Sequence, residues 1–134
     1  MKRIAILASG EGTNAENIIR YFSERKTAKV VVVITNKAQA GVLNRADKLG
    51  IPTEFIPAQD FTEGRALEVL HRYQTDFIAL AGFLLRVPDD ILHDYPNKIV
   101  NIHPALLPKF GGKGMYGNRV HEAVTVSYTH LRAH

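Results

Sequence analysis

The sequence predicts a doubly wound α/β fold, a parallel sheet with helices packed on both faces. Three observations lead there. Short apolar runs recur without the polar alternation expected of a half-exposed strand, so each must be buried on both sides. Segments with apolar residues at helical spacing lie between those runs. Turn signals such as Gly50 followed by Pro52 separate the two kinds of segment, and right-handed crossovers then wind them into one layered domain.

Residues 3–8 form the first expected strand, and a helix over 15–23 follows with Ile18, Ile19 and Phe22 on one face. The consecutive valines Val30 to Val33 mark a second buried strand over 29–34, and a helix over 40–49 stops at Gly50. A short third strand is expected over 53–56. Residues 63–73 form a helix that offers Leu67, Val69 and Leu70 to the core. The fourth strand covers 77–81, a short helix 89–94, and the fifth strand 98–102.

With 134 residues and 46% apolar composition, the chain amounts to one ordinary globular domain. The absence of cysteine excludes disulfides, thiolate zinc sites and cysteine nucleophiles, and it fits a reducing, cytoplasmic setting. No apolar run is long enough for a signal peptide or a membrane span. The net charge of +4 arises largely after Pro104, where Lys109, Lys113, Arg119 and Arg132 face Glu122 alone. These cations are scattered, which argues against a nucleic-acid surface.

In a doubly wound sheet, ligands bind beyond the carboxyl ends of the strands, so the loops there carry the candidate chemistry. Ser9 to Asn14 leaves the first strand and opens the first helix. Its glycines allow close backbone approach, and the helix amides favour a phosphate. The loop lacks the third glycine of a dinucleotide fingerprint and the lysine of a P-loop. A tight turn capped by Thr13 or Asn14 is the alternative.

Ala81 to Pro88 is an apolar loop with one cation, suited either to walling a flat heteroaromatic ring or to core packing. Asn101 and His103 lie two apart at the end of the fifth strand, so they share a face while Ile102 points inward. An amide donor beside a titratable imidazole can polarise a carbonyl and manage charge at a reacting centre. Residues 109–117 contain four glycines and two lysines, a closely approaching loop that could meet an anion. His130 and His134 are four apart but have neither the acid of a zincin pair nor a third ligand, so no metal is expected.

Together these blocks resemble the phosphoribosylglycinamide formyltransferases, folate-dependent enzymes of purine synthesis with a Rossmann-like α/β fold. The resemblance runs through Ser9 to Asn14, Ala81-Gly82-Phe83, Asn101-Ile102-His103-Pro104 and Leu106-Leu107-Pro108-Lys109. It implies that Gly12, Thr13 and Asn14 hold the ribose phosphate of the substrate phosphoribosylglycinamide. Leu84, Leu85, Arg86 and Val87 would line the pocket for 10-formyltetrahydrofolate, with Arg65 as a further folate contact. Asn101 would donate a hydrogen bond to the formyl oxygen, and His103 would act as general acid or stabilise the oxyanion. The substrate amine attacks the formyl carbon, and collapse of the tetrahedral species releases tetrahydrofolate without a covalent enzyme intermediate.

The same resemblance divides the chain into residues 1–124, the amino-terminal part of a formyltransferase domain, and a non-family tail over 125–134. It is that of a carboxyl-terminally truncated member. The family carries a later aspartate that orients its histidine, whereas Asp94 is the last aspartate here, so low turnover is expected. Two other functions remain open: a formyltetrahydrofolate hydrolase, and a catalytically silent module that binds ribose phosphates.

Overall fold

The computed structural model describes residues 1–102. Five strands, β1 (Lys2–Leu7), β2 (Ala28–Thr35), β3 (Thr53–Phe55), β4 (Phe77–Leu80) and β5 (Ile99–Asn101), form one sheet in the order β3-β2-β1-β4-β5. Every neighbouring pair is parallel. Five helices connect them: α1 (Thr13–Ser23), α2 (Gly41–Lys48), α3 (Ala58–Phe61), α4 (Arg65–Arg72) and α5 (Asp89–Asp94). This is the doubly wound architecture expected from the buried strands.

Alternation along the strands feeds two cores. Ile4 and Ile6 of β1 join Ile18 and Ile19 of α1 and Val42 and Ala46 of α2 on one face. Ala5 and Leu7 point the other way, among Phe61 of α3, Val69 and Leu70 of α4 and Ile91 of α5. The valine run breaks this alternation. Opposite β1 the register passes from Ile4↔Val30 to Ala5↔Val32, so Val31 is an extra residue in a bulge. Val31 and Val32 therefore both enter the second core, while Val30 and Val33 enter the first.

Three expectations need correction. Helix α1 begins at Thr13 rather than Ala15, and its N-cap is Gly12 with no side-chain cap hydrogen bond, so neither Thr13 nor Asn14 caps it. Helix α4 is shorter than 63–73, beginning after Gly64. A separate turn of helix, α3, was not foreseen: one turn shows no periodicity, although its Phe61 is almost fully buried. The remaining strand and helix boundaries agree to within one or two residues.

Candidate active site

The strand order reverses between β1 and β4. The connection after β1 climbs into α1 on one face, and the connection after β4 leads to α5 on the other, so the two loops part and leave a crevice at the carboxyl edge. Gly12 stands at its start with φ 85° and ψ 16°, a left-handed conformation that a side chain resists. A Cβ there would lie 2.6 Å from the Cα, Cβ and Cγ2 of Val42, so glycine is required twice over. Beyond it the amides of Thr13 and Asn14 open α1 without partners among the described residues. A left-handed residue followed by helical ones makes successive N–H groups converge, which forms a nest for an anion.

This loop is braced by α2. The Arg45 guanidinium donates from Nε to the Glu11 carbonyl and from Nη1 to Glu16 Oε1, each at 2.8 Å. The Val42 N–H donates to the Gly10 carbonyl at 3.1 Å. Hydrogen bonds from Arg20 and then Arg45 hold the Glu16 carboxyl below its ordinary pKa, so it stays charged and keeps both arginines in place. Sequence reasoning passed over Arg45 because its partners lie 34 and 29 residues away. An open cleft of about 610 Å³ adjoins the loop, lined by Ser9, Gly10, Glu11, residues 36–41, Phe55, Pro57 and Ala58. A second cavity of about 520 Å³ lies at the opposite edge of the sheet, near Arg3, Lys29 and Tyr73, away from these loops.

The loop after β4 divides its residues. Leu84 is 75% exposed, whereas Val87 is buried in the second core and can offer a ligand little side-chain surface. Leu85 is half-buried against that core. Arg86 is exposed and paired with Asp89 at 3.0 Å. The backbone N–H groups of Leu85 and Arg86 have no partner among the described residues, and Phe83 packs on Phe61 with ring centroids 5.3 Å apart. Exposed apolar surface with unused amides at one edge suits a flat heterocycle with acceptors on its rim. Arg65 begins α4 on the same face, exposed and 3.7 Å from Asp60.

Asn101 closes β5, half-buried, in register with Leu80, which is itself in register with Leu7. Two strand spacings, about 10 Å, therefore separate Asn101 from the end of β1. Ile102 is buried, the inward placement expected of it. His103, the loop over 109–117, His130, His134 and residues 125–134 lie outside the described residues. Among the described residues no group of three His, Cys, Asp or Glu side chains could hold a metal ion, and no helix is long and apolar enough to cross a membrane.

The formyl transferase family profile matches residues 2–127. The chain belongs to this family. A chloroplastic phosphoribosylglycinamide formyltransferase of Arabidopsis thaliana is 38% identical over 133 residues, covering 94% of this chain and 46% of the relative. The phosphoribosylglycinamide formyltransferase of Bacillus subtilis is 35% identical over 133 residues, covering 95% and 68% respectively. Among solved structures, glycinamide ribonucleotide transformylase 1 of Symbiobacterium toebii superposes with a TM-score of 0.72 at 34% identity, over 78% of this chain and 52% of that one. The chain thus spans about half the length of the plant relative and of that structure. The two parted loops and Asn101 all lie at the carboxyl edge of the sheet, within the residues the family profile matches.

Proposed function

We propose that this protein transfers a formyl group from 10-formyltetrahydrofolate to the amine of phosphoribosylglycinamide. The observation that carries the reading is the nest at Gly12, Thr13 and Asn14: the Thr13 and Asn14 amides have no partner among the described residues and suit a phosphate at the switch point of a formyl transferase sheet. The exposed Leu84 and the amides of Leu85 and Arg86, without partners among the described residues, fit a folate heterocycle, with Arg65 available to an anionic group farther along it. When bound, the folate supplies an activated formyl group.

The chain's own part is positioning and charge. Asn101 donates its side-chain N–H to the formyl oxygen, where negative charge grows as the amine attacks. His103 supplies a proton to the departing nitrogen or offsets the oxyanion as a cation, and the attacking amine gives up one proton as it becomes the formamide, so the exchange balances. Holding amine and formyl carbon together replaces an encounter in solution with a local one, and no covalent enzyme intermediate is required. The names of the plant and bacterial relatives support the phosphorylated amine, rather than water, as acceptor. The absence of cysteine supports a reducing compartment, which we take to be the cytoplasm.

The test is tetrahydrofolate release measured with and without phosphoribosylglycinamide, for the wild type and Asn101→Ala. Amine-dependent release that falls about 10²- to 10³-fold in the variant is expected from loss of one oxyanion donor. Formate release that ignores the amine would transfer the reading to a hydrolase. Tight binding of the amine with no turnover would leave a ribose-phosphate-binding module.

A further inference from the structure

Ser9 is the first residue past β1, at the point where the two loops part. Only 4% of it is exposed. Its N–H donates to the Gly82 carbonyl at 3.2 Å, continuing the ladder by one rung after the strands have ended. Its Oγ then makes two bonds to two different loops. The Leu84 N–H donates to it at 2.9 Å, and it donates to Asn36 Oδ1 at 2.6 Å. One hydroxyl therefore ties the loops after β1, β2 and β4 together, with its donor and an acceptor position both used.

The two loops so joined are those proposed for the two substrates. Gly10 to Asn14 follows Ser9 directly, and Leu84 is the exposed apolar residue of the other loop. We propose that Ser9 is a positioning residue for both subsites, setting the width of the crevice between phosphate nest and folate loop. This rests on the assignment of the two loops given above. Arg45 makes a contrast within the same structure, because it grips Glu11 and Glu16 and touches only the phosphate side.

Alanine at position 9 leaves the Leu84 N–H and Asn36 Oδ1 without the partner they share. Calorimetric titration of the wild-type chain and of Ser9→Ala with ribose 5-phosphate and, separately, with 5-formyltetrahydrofolate tests the consequence. Both dissociation constants should rise about 3- to 10-fold, the effect of losing an ordinary hydrogen bond, while the fitted number of sites per chain stays the same. Arg45→Met should weaken ribose 5-phosphate alone. In Ser9→Ala the Leu84 amide should also exchange with deuterium faster, with no ligand present.

A purely structural role would lower the fraction of competent sites and leave the dissociation constants of the rest unchanged, which would overturn the proposal. So would weakening of one ligand only, or of neither. If Ser9→Ala does not fold, Ser9→Cys carries the same test, because it keeps a side chain there while replacing the hydroxyl with a weak donor and acceptor for Asn36 and Leu84. A wild-type chain that binds neither probe would instead overturn the assignment of the loops, and Ser9's role with it.

Discussion

Replacing Gly12 with alanine imposes two costs that a second glycine allows to be separated. The φ of 85° lies where an L-residue is disfavoured by about 1–2 kcal/mol. The new Cβ would also stand 2.6 Å from three atoms of Val42, which is fully buried and bonded through its N–H to Gly10. Relieving that contact means moving loop and helix apart by about 1 Å, an overpacking cost of about 1–3 kcal/mol. Alanine stiffens the unfolded chain and returns about 0.4–1 kcal/mol, so the net loss is about 2–4 kcal/mol. Gly50 has φ 75° but nothing within 4 Å of its added Cβ, so Gly50→Ala bears the backbone strain alone, a net of about 0.5–1 kcal/mol. Thermal unfolding followed by circular dichroism should place Gly12→Ala about 8 °C below Gly50→Ala, at about 4 °C per kcal/mol for a domain of this size. Equal melting temperatures would refute the close approach of α2 as the reason position 12 needs glycine.

Arg45→Met should raise KM for the phosphorylated amine about 3- to 10-fold with kcat little changed, since it frees the Glu11 carbonyl and Glu16 without reaching Asn101; steady-state kinetics in the amine checks the split. Tyr95 is buried, donates its hydroxyl to the Thr75 carbonyl at 3.1 Å, and has its pKa pushed up to about 12 by burial and then by Asp94 and Asp76. The folded state therefore favours the neutral phenol: this contribution is complete below about pH 10 and is lost as pH rises toward 12, a fall of the order of 2 kcal/mol. Urea midpoints between pH 8 and 11.5 should fall less steeply in Tyr95→Phe, which should itself lose about 1 kcal/mol at pH 8. Phe61→Ala should cost about 3–5 kcal/mol in urea unfolding, because its ring is 1% exposed and packs on Phe83.

Most of the sheet was legible because parallel strands buried on both faces leave an apolar run that little else produces, and Val30 to Val33 is such a run. The same run hid the bulge: four identical residues carry no mark of which one is unpaired, and only the register against Ile4 and Ala5 reveals Val31 as the extra one. Gly12 was legible as a glycine allowing close backbone approach between β1 and α1. Its place as the N-cap was not, because the preference of Thr and Asn for caps is a local tendency, here overridden by the packing of Val42 against the loop. Leu84 and Val87 look alike in composition, yet one faces solvent and the other the core; a loop without regular period gives no phase from which to tell them apart. Arg45 and Asn36 were out of reach for a simpler reason, since each acts on residues 27 or more positions away.

These long-range contacts share one direction of effect. Gly12 against Val42 fixes the loop after β1 by backbone contact, Arg45 fixes it by ion pairing and a carbonyl bond, and Ser9 ties it to the loop after β4. A loop left to fluctuate would lose about 1–2 kcal/mol of backbone entropy for each residue ordered by the ligand. Here that ordering is completed by folding, and it is drawn from α2 and from the ends of β1, β2 and β4 rather than from the ligand. The amides of Thr13 and Asn14 are thus aimed before any anion arrives, and under the proposed function binding energy would be left for bringing amine and formyl carbon together beside Asn101. Under the proposed function the second layer of α2 side chains would act through KM and geometry. Substitutions there should then leave the chemistry proposed at Asn101 intact while weakening binding of a phosphate at Gly12 to Asn14.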